Sequence, residues 1–424
     1  MINAKSNVTT LLFGAGNFQR AFAAYFLQQL TDAGHSVGRA TVVRVTDGGR
    51  YDALEAAGWR YPVLARGLAN GQVVDDLTEV SCIAGAVYPY LDFGSYLATA
   101  ESPGVHTLIS NTTEAGIVYE EEILPQGRPA RTFPAKLTQW LHHRWRHFGG
   151  YPERGVMVLP CELIEGNGTR LRECVERYAD AWGYDPLFKM WLAAHCNFCD
   201  TLVDRIVPGR PGDDVLAARG LPKITVTAEP YHLWAIRGAS HRFRENWPLT
   251  DAGCNVEWTD DLTDARTLKV RLLNGAHTAM VPVGLTHGIS TVREFVEHPE
   301  WGPWLGALLR EEIVPTLRGI PPERARAYAK TVLERFANPF VEHRLESILL
   351  NSLSKWPMRL GPTVSHYVDS GLTVPERLAL AWECQVTLTH QRGTEGMPDD
   401  PQAVGRLLSD NPSVEEWVGQ LIQR

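Results

Sequence analysis

The sequence predicts an α/β protein in two parts, a half built on a parallel sheet over residues 1–262 and a mostly α-helical half over 263–424. Three observations carry this. Short apolar runs alternate with helical patterns through the first half, and strands alternating with helices imply a parallel sheet covered on both faces. From about Leu268 onward strand-like runs become scarce and helical periodicity dominates. Between the two regimes lies the polar stretch Thr259-Asp260-Asp261-Leu262-Thr263-Asp264, which marks the boundary.

Taken in order, Val8–Phe13 reads as the first strand, 18–30 as the helix after it and 41–46 as the second strand. Residues 105–110 and 156–160 are further strands, each followed by a polar loop. Ligands of such sheets sit at the carboxyl ends of the strands. The loops 14–18, 47–50, 111–116 and 161–168 should therefore converge. In the second half, helices are expected over 268–283, 301–317, 322–336, 341–355 and 375–388. Clusters such as Gly319-Ile320-Pro321-Pro322 and Gly361-Pro362 punctuate them.

At 424 residues, 44% hydrophobic and 21% charged, the chain is an ordinary globular protein with room for two or three cores. A net charge of −8 argues against nucleic acid or an anionic membrane as partner. The first seven residues lack a signal peptide's apolar run, and no apolar stretch approaches a membrane span. Seven cysteines, an odd number without a secretion signal, fit reduced thiols in a cytoplasm. The expected partner is a small molecule; the sequence does not set the oligomeric state.

The first strand runs into Gly14-Ala15-Gly16-Asn17-Phe18-Gln19-Arg20. Glycines here permit a tight turn and close approach of backbone N–H groups to a pyrophosphate. Gln19 stands where the fingerprint has its third glycine, so the motif is incomplete and a plain strand–helix turn remains the competing reading. Asp47, after the second strand, is placed to accept hydrogen bonds from an adenosine ribose, which favours NAD over NADP. Arg44 and Arg50 stand close enough to take a 2′-phosphate instead. Asn111, Thr112, Thr113 and Glu114 supply small polar groups for the nicotinamide half, or merely a helix cap.

The most informative stretch is Lys269-Val270-Arg271-Leu272-Leu273-Asn274-Gly275-Ala276-His277. On an α-helix, at about 100° per residue, His277 lies about 80° around from Lys269 and Asn274 about 140°. One arc then holds an amine, a carboxamide and an imidazole, beside an apolar stripe of Leu272, Leu273, Ala276 and Met280. Reduction of a carbonyl needs this inventory: a proton donor, plus hydrogen bonds to an oxygen that gains charge. A lysine titrates near 10.4, so burial should lower it for such work.

Several of these motifs, in this order, resemble the polyol-specific long-chain dehydrogenases, the mannitol dehydrogenase family. The opening Phe13-Gly14-Ala15-Gly16-Asn17-Phe18-Gln19-Arg20 is similar, as are Leu202-Val203-Asp204-Arg205-Ile206-Val207-Pro208 and the Lys269 to His277 run. Residues 110–116, 161–168, 229–234 and 338–343 are most similar to the uronate-reducing branch of that family. The resemblance implies an extended Rossmann domain followed by a helical substrate domain, a site in the cleft between them, and a metal-independent, NAD-linked reduction of a sugar acid. It implies Lys269 as catalytic acid and base, with Asn274 and His277 on the carbonyl oxygen. Asp204 matches an acid near the substrate, and Lys355 a lysine on a later helix. The polyol members carry Cys-Asp-Asn where this chain has Cys161-Glu162-Leu163, so Glu162 or Asn167 is expected to replace the missing amide. They also carry an arginine where this chain has Ser347. A uronate carboxylate needs a cation, for which Arg205, His343, Arg344 and Lys355 are the candidates.

Two other readings stand beside this one. His195 with Cys196-Asn197-Phe198-Cys199 offers three zinc-ligating groups without a visible fourth, so no metal is expected. A nucleotide sensor on the same fold would need no Lys269, Asn274 or His277, yet all three are present.

Overall fold

A computed structural model describes residues 7–422, with the side chains of all but Glu114 and 420–422. The chain forms two compact units: one holds the residues up to Arg66 and Asp75–Leu262, the other Gly67–Val74 and everything from Thr263 onward.

The first unit contains β1 (Val8–Phe13), β2 (Arg39–Val43), β3 (Tyr61–Ala69) as far as Arg66, β4 (Gln72–Val80) from Asp75 onward, β5 (Ile83–Val87) and β6 (Thr107–Ser110). After these come β7 (Met157–Pro160), β8 (Asn197–Phe198), β9 (Asp200–Asp204), β10 (Val226–Ala228), β11 (Leu233–Arg237) and β12 (Val256–Thr259). Six of them form one parallel sheet in the order β5-β2-β1-β6-β7-β8. That is the order of a doubly wound dinucleotide-binding sheet, with its reversal between β1 and β6. Side chains alternate between two buried faces: Leu12, Ile109 and Leu159 enter one core cluster, and Leu11, Phe13, Leu108 and Val158 the other. Burial on both faces is why these strands read as largely apolar runs rather than as alternating ones. The second strand ends at Val43, three residues short of the expected boundary.

The helix expected over 18–30 is two helices, α1 (Asn17–Ala21) and α2 (Ala23–Asp32), broken at Phe22 with φ −127° and ψ −82°. The cause is local competition for carbonyls. Arg205 donates to the Ala21 oxygen at 2.6 Å and the Tyr61 hydroxyl to the Arg20 oxygen at 3.2 Å. The Phe22 ring packs between Phe18, Phe26 and Trp234, with centroids 4.7–5.3 Å away.

In the second unit α3 (Thr263–Leu268), a π-helical segment (Lys269–Asn274) and α4 (Gly275–Thr286) follow without a break. Later come α5 (Pro322–Phe336), α6 (Leu345–Leu349), α7 (Ser352–Arg359) and α8 (Glu376–Gly396). The bounds expected for α5 are the observed ones. The helix expected over 341–355 instead divides into α6 and α7, because Asn351 takes a left-handed φ of 55°. The region 301–317 opens as α-helix but turns π-helical from Leu308 to Ile313. Leu272, Leu273, Ala276 and Met280 enter one core with Leu345, Leu353, Trp356 and Leu378. Among the described residues no helix is long and apolar enough to cross a membrane.

One histidine ties the first unit's stability to pH. The His232 Nδ1 sits 3.1 Å from the Pro230 carbonyl, while its Nε2 accepts the Asn255 N–H at 3.1 Å. That pairing requires the neutral ring, and burial with the nearby Arg205 cation pushes the pKa down to about 4. Above pH 6.5 the ring is neutral in folded and unfolded chain alike. Below it the unfolded chain takes up a proton that the folded one refuses, so stability falls, by up to about 3 kcal/mol as pH 4 is approached. Urea titrations at pH 7.5 and 5.0 should show His232→Gln losing less on acidification than the native chain; equal losses in both proteins would contradict this account.

Candidate active site

Where the strand order reverses, the carboxyl ends of β1, β2 and β6 border a groove of about 560 Å³. Gly14, Ala15 and Gly16 line one part of it, Arg44, Thr46 and Tyr51 another, and Asn111, Thr112 and Thr113 a third. Gly14 has φ +106°, and an added Cβ would meet the Asn111 carbonyl at 3.4 Å. Gly16, capping α1, has an ordinary φ of −64°, and a Cβ there would meet nothing within 4 Å. No protein atom demands glycine at 16, so the space in front of it is free for a ligand. A smaller pocket of about 240 Å³ shares Asn111 and Thr113 with the groove and adds Phe18, Cys161, Glu162, Leu163 and Val203.

Several expected cofactor residues take other places. Asp47 is exposed and is not among the lining residues of the groove. The reason is that β2 ends early and Arg44 turns into the space, stacking 4.4 Å over Tyr51 and donating to the Gly48 carbonyl at 3.0 Å. Arg20 is committed inside the unit, donating to the Ile224 carbonyl at 2.6 Å and to Asn17 Oδ1 at 2.8 Å. The Glu114 side chain lies outside the described residues.

Glu162 is 3% exposed and holds the loop after β6. Its carboxylate accepts from Ser110 Oγ at 3.0 Å and from both the backbone N–H and the hydroxyl of Thr112 at 2.9 Å. Burial raises its pKa against those hydrogen bonds. Asn167 is corrected to a structural role. Its amide nitrogen donates to the carbonyls of Pro160, Glu162 and Thr201 at 3.0–3.1 Å, and its oxygen accepts from the Gly168 and Thr201 N–H groups. With both ends engaged it has nothing left for a substrate. Arg205 is likewise enclosed, on the Glu229 and Ala21 carbonyls and over the Tyr25 ring. Asp204, buried at the end of β9, lies on the strand beside it.

In the second unit the Lys269 to His277 run departs from an ideal α-helix. Lys269–Asn274 forms a π-helical segment, and Gly275 resumes the α-helix. Hydrogen bonding from i to i+5 draws residues five apart toward one face, so Lys269 and Asn274 stand closer in azimuth than the α-helical geometry allows. Such bulges recur at functional sites. His277 follows one turn later, 8% exposed, and its Nε2 is buried with no hydrogen-bond partner among the described residues. Its ring packs 4.4 Å from Phe336 and 5.1 Å from His343. Burial, then the positive charges of His343, Arg359, Arg335 and Lys355, hold its pKa well below 6.5. The imidazole is therefore neutral at neutral pH.

Of the expected carboxylate partners, His343 packs against His277, and the charge of Lys355 acts on it from farther away. Arg344 is instead 66% exposed and pairs with Glu342 at 2.6 Å. Arg335 and Arg359 were not anticipated. Arg359 had a signal in the sequence, since it lies four residues after Lys355 and shares its helix face. Arg335 had none. Cys196 and Cys199 enter opposite core clusters, and burial pushes each thiol up to about 12, which separates them as a chelating pair.

Comparison with known proteins agrees with this division. Residues 9–249 match the mannitol dehydrogenase Rossmann domain and 261–418 the mannitol dehydrogenase C-terminal domain. The altronate oxidoreductase of Bacillus subtilis (strain 168) is 39% identical over 92% of this chain and 81% of its own length. That of Bacteroides thetaiotaomicron is 37% identical over 94% and 84%. Among solved structures, a substrate-free D-sorbitol dehydrogenase superposes with TM-score 0.77 at 21% identity, covering 95% of this chain and 87% of that one. A Pseudomonas fluorescens mannitol 2-dehydrogenase, solved with NAD and D-mannitol, gives 0.66 at 18%, covering 99% and 95%. With its sheet order, its helical second unit and both family domains matched in sequence, the chain belongs to the mannitol dehydrogenase family of oxidoreductases.

Proposed function

We propose that this chain reduces the ketone of D-tagaturonate to D-altronate, reversibly, with NAD as its cofactor and Lys269 as general acid and base. The observation that carries the reading is the surroundings of His277: a buried ring nitrogen without a partner among the described residues, within electrostatic reach of four groups that carry or can carry positive charge. A neutral sugar has no use for so many cations, whereas a sugar acid does. The relatives named altronate oxidoreductase, at 36–39% identity, support the same substrate class.

The groove of the first unit fits a dinucleotide in size, in its place on the sheet, and in the open space before Gly16. Gly14, Gly16, Asn17 and Phe18 would hold its phosphates, and Asn111, Thr112 and Thr113 its nicotinamide half. Bound there, NADH supplies the hydride. Lys269 donates a proton to the substrate oxygen as charge develops on it and recovers one in the oxidative direction. Asn274 donates a hydrogen bond to the same oxygen, and the His277 Nε2 finds there the partner it lacks in the protein. The Lys269 ammonium acts as the electrophile, so the proposed reaction draws on no metal. The competing substrates are fructuronate, which differs in stereochemistry, and a neutral ketose such as fructose.

NADH oxidation at 340 nm, with tagaturonate, fructuronate and fructose offered in parallel, tests the reading; preference for tagaturonate is expected, and preference for fructose overturns the sugar-acid assignment. Lys269→Ala should lower kcat by roughly 10²–10⁴-fold while NADH still binds. Turnover within a few-fold of the native enzyme would remove Lys269 from proton transfer. Gly16→Ala should leave Tm unchanged, because its methyl meets no protein atom, yet raise the Kd for NADH about tenfold or more. An unchanged Kd would place the pyrophosphate elsewhere.

A further inference from the structure

The second unit contains a cationic cluster on three separate elements. Arg335 is the penultimate residue of α5, His343 lies in the connection to α6, and Lys355 and Arg359 share one face of α7. All four bear on His277 in α4. What brings α7 in is the glycine of Asn274-Gly275-Ala276-His277. A Cβ on Gly275 would meet Leu360 Cδ2 at 3.2 Å and the Arg359 carbonyl at 3.6 Å. The end of α7 thus rests on the first turn of α4, where Arg359 Nη1 donates to Thr278 Oγ1 at 3.1 Å, one residue past His277.

The four groups are not equally available. Lys355 Nζ is spent on the carbonyls of Ile348 and Leu350, where it closes the turn between α6 and α7. Arg335 is 4% exposed. His343 packs against His277 edge to face, and burial holds its pKa below the ordinary value, toward the uncharged form. Arg359 is half-buried, carries its charge at any working pH, and makes a single side-chain hydrogen bond among the described residues, to the neutral hydroxyl of Thr278. A half-buried guanidinium on an uncharged hydroxyl has the rest of its fork left to offer.

We infer that Arg359 is the residue that recognises the substrate carboxylate, its free N–H groups forming a charge-assisted fork to the two oxygens, and that it sets the preference for a sugar acid over a neutral ketose. The inference rests on the sugar-acid reading above and deepens it, by assigning the far end of the substrate to one side chain. The Thr278 hydroxyl orients the guanidinium, and Gly275 lets α7 come near enough to present it. Lys355 shapes the turn from which α7 starts.

The test is kcat/KM for tagaturonate and for fructose, with NADH, in the native enzyme and in Arg359→Gln and Arg359→Lys. NADH binding and Tm of each variant report whether it has folded. Arg359→Gln should lower the ratio of tagaturonate to fructose efficiency about 100-fold, mainly through KM for tagaturonate, as expected for loss of a bidentate charged contact. Arg359→Lys should recover part of it, as a point charge without the fork. A folded Arg359→Gln that loses equally on both substrates, or on neither, overturns the assignment of Arg359 while the sugar-acid reading stands. A native enzyme that turns over fructose and not tagaturonate overturns the sugar-acid reading, and this inference falls with it.

Discussion

The second unit depends on a slip in the hydrogen-bond ladder between Lys269 and Asn274. A regular α-helix would set the amine and the carboxamide well apart around the axis, and the π-helical segment brings them toward a common face. Each residue of such a segment loses the better-aligned i→i+4 geometry, a cost the fold must offset elsewhere. It does so with packing. Leu272 and Leu273, inside the segment, are 0% and 5% exposed and belong to the unit's main core. Arg271, also inside it, sends its guanidinium to the hydroxyls of Thr316 and Thr363, which fixes the segment from the opposite side. The distortion is therefore held in place by its own neighbours before any ligand arrives.

From this constraint the electrostatics of the site follow. Burial first, and then the positive groups near it, make the protonated form of His277 expensive, so the ring stays neutral and keeps one nitrogen to donate with and one to accept with. Positive charge collected near one buried ring favours an anion over a neutral molecule, which is the electrostatic basis of the sugar-acid substrate proposed above.

Much of this was legible in the sequence, for identifiable reasons. The parallel sheet announced itself because strands buried on both faces carry no charge and few polar groups: β7 is wholly apolar, and only Thr9 and Thr10 interrupt β1. The apolar stripe of Leu272, Leu273, Ala276 and Met280 survived the π-helical slip because all four are buried regardless of which face they take. What stayed hidden depends on tertiary partners. Phe22 looks helical, and only Arg205, nearly two hundred residues away, diverts the carbonyl that breaks the helix there. Asn167 and Arg205 have the chemistry of ligand-binding residues, yet three carbonyls claim one and two carbonyls with an aromatic ring claim the other. Polarity in a sequence does not say whether the partner is substrate or backbone.

The groove of the first unit makes the same point from the opposite direction. An acidic residue after the second strand suggests a ribose partner, but β2 stops at Val43 and leaves Asp47 on the exposed turn. Arg44 occupies the position instead, and its environment explains its pose. A Cβ on Gly48 would meet the Arg44 guanidinium, so a side chain there would displace the arginine from this pose. Held by the Gly48 carbonyl and stacked on Tyr51, the guanidinium presents a flat, polarisable surface beside the groove. A flat cation of this kind suits the face of a purine as well as it suits a phosphate.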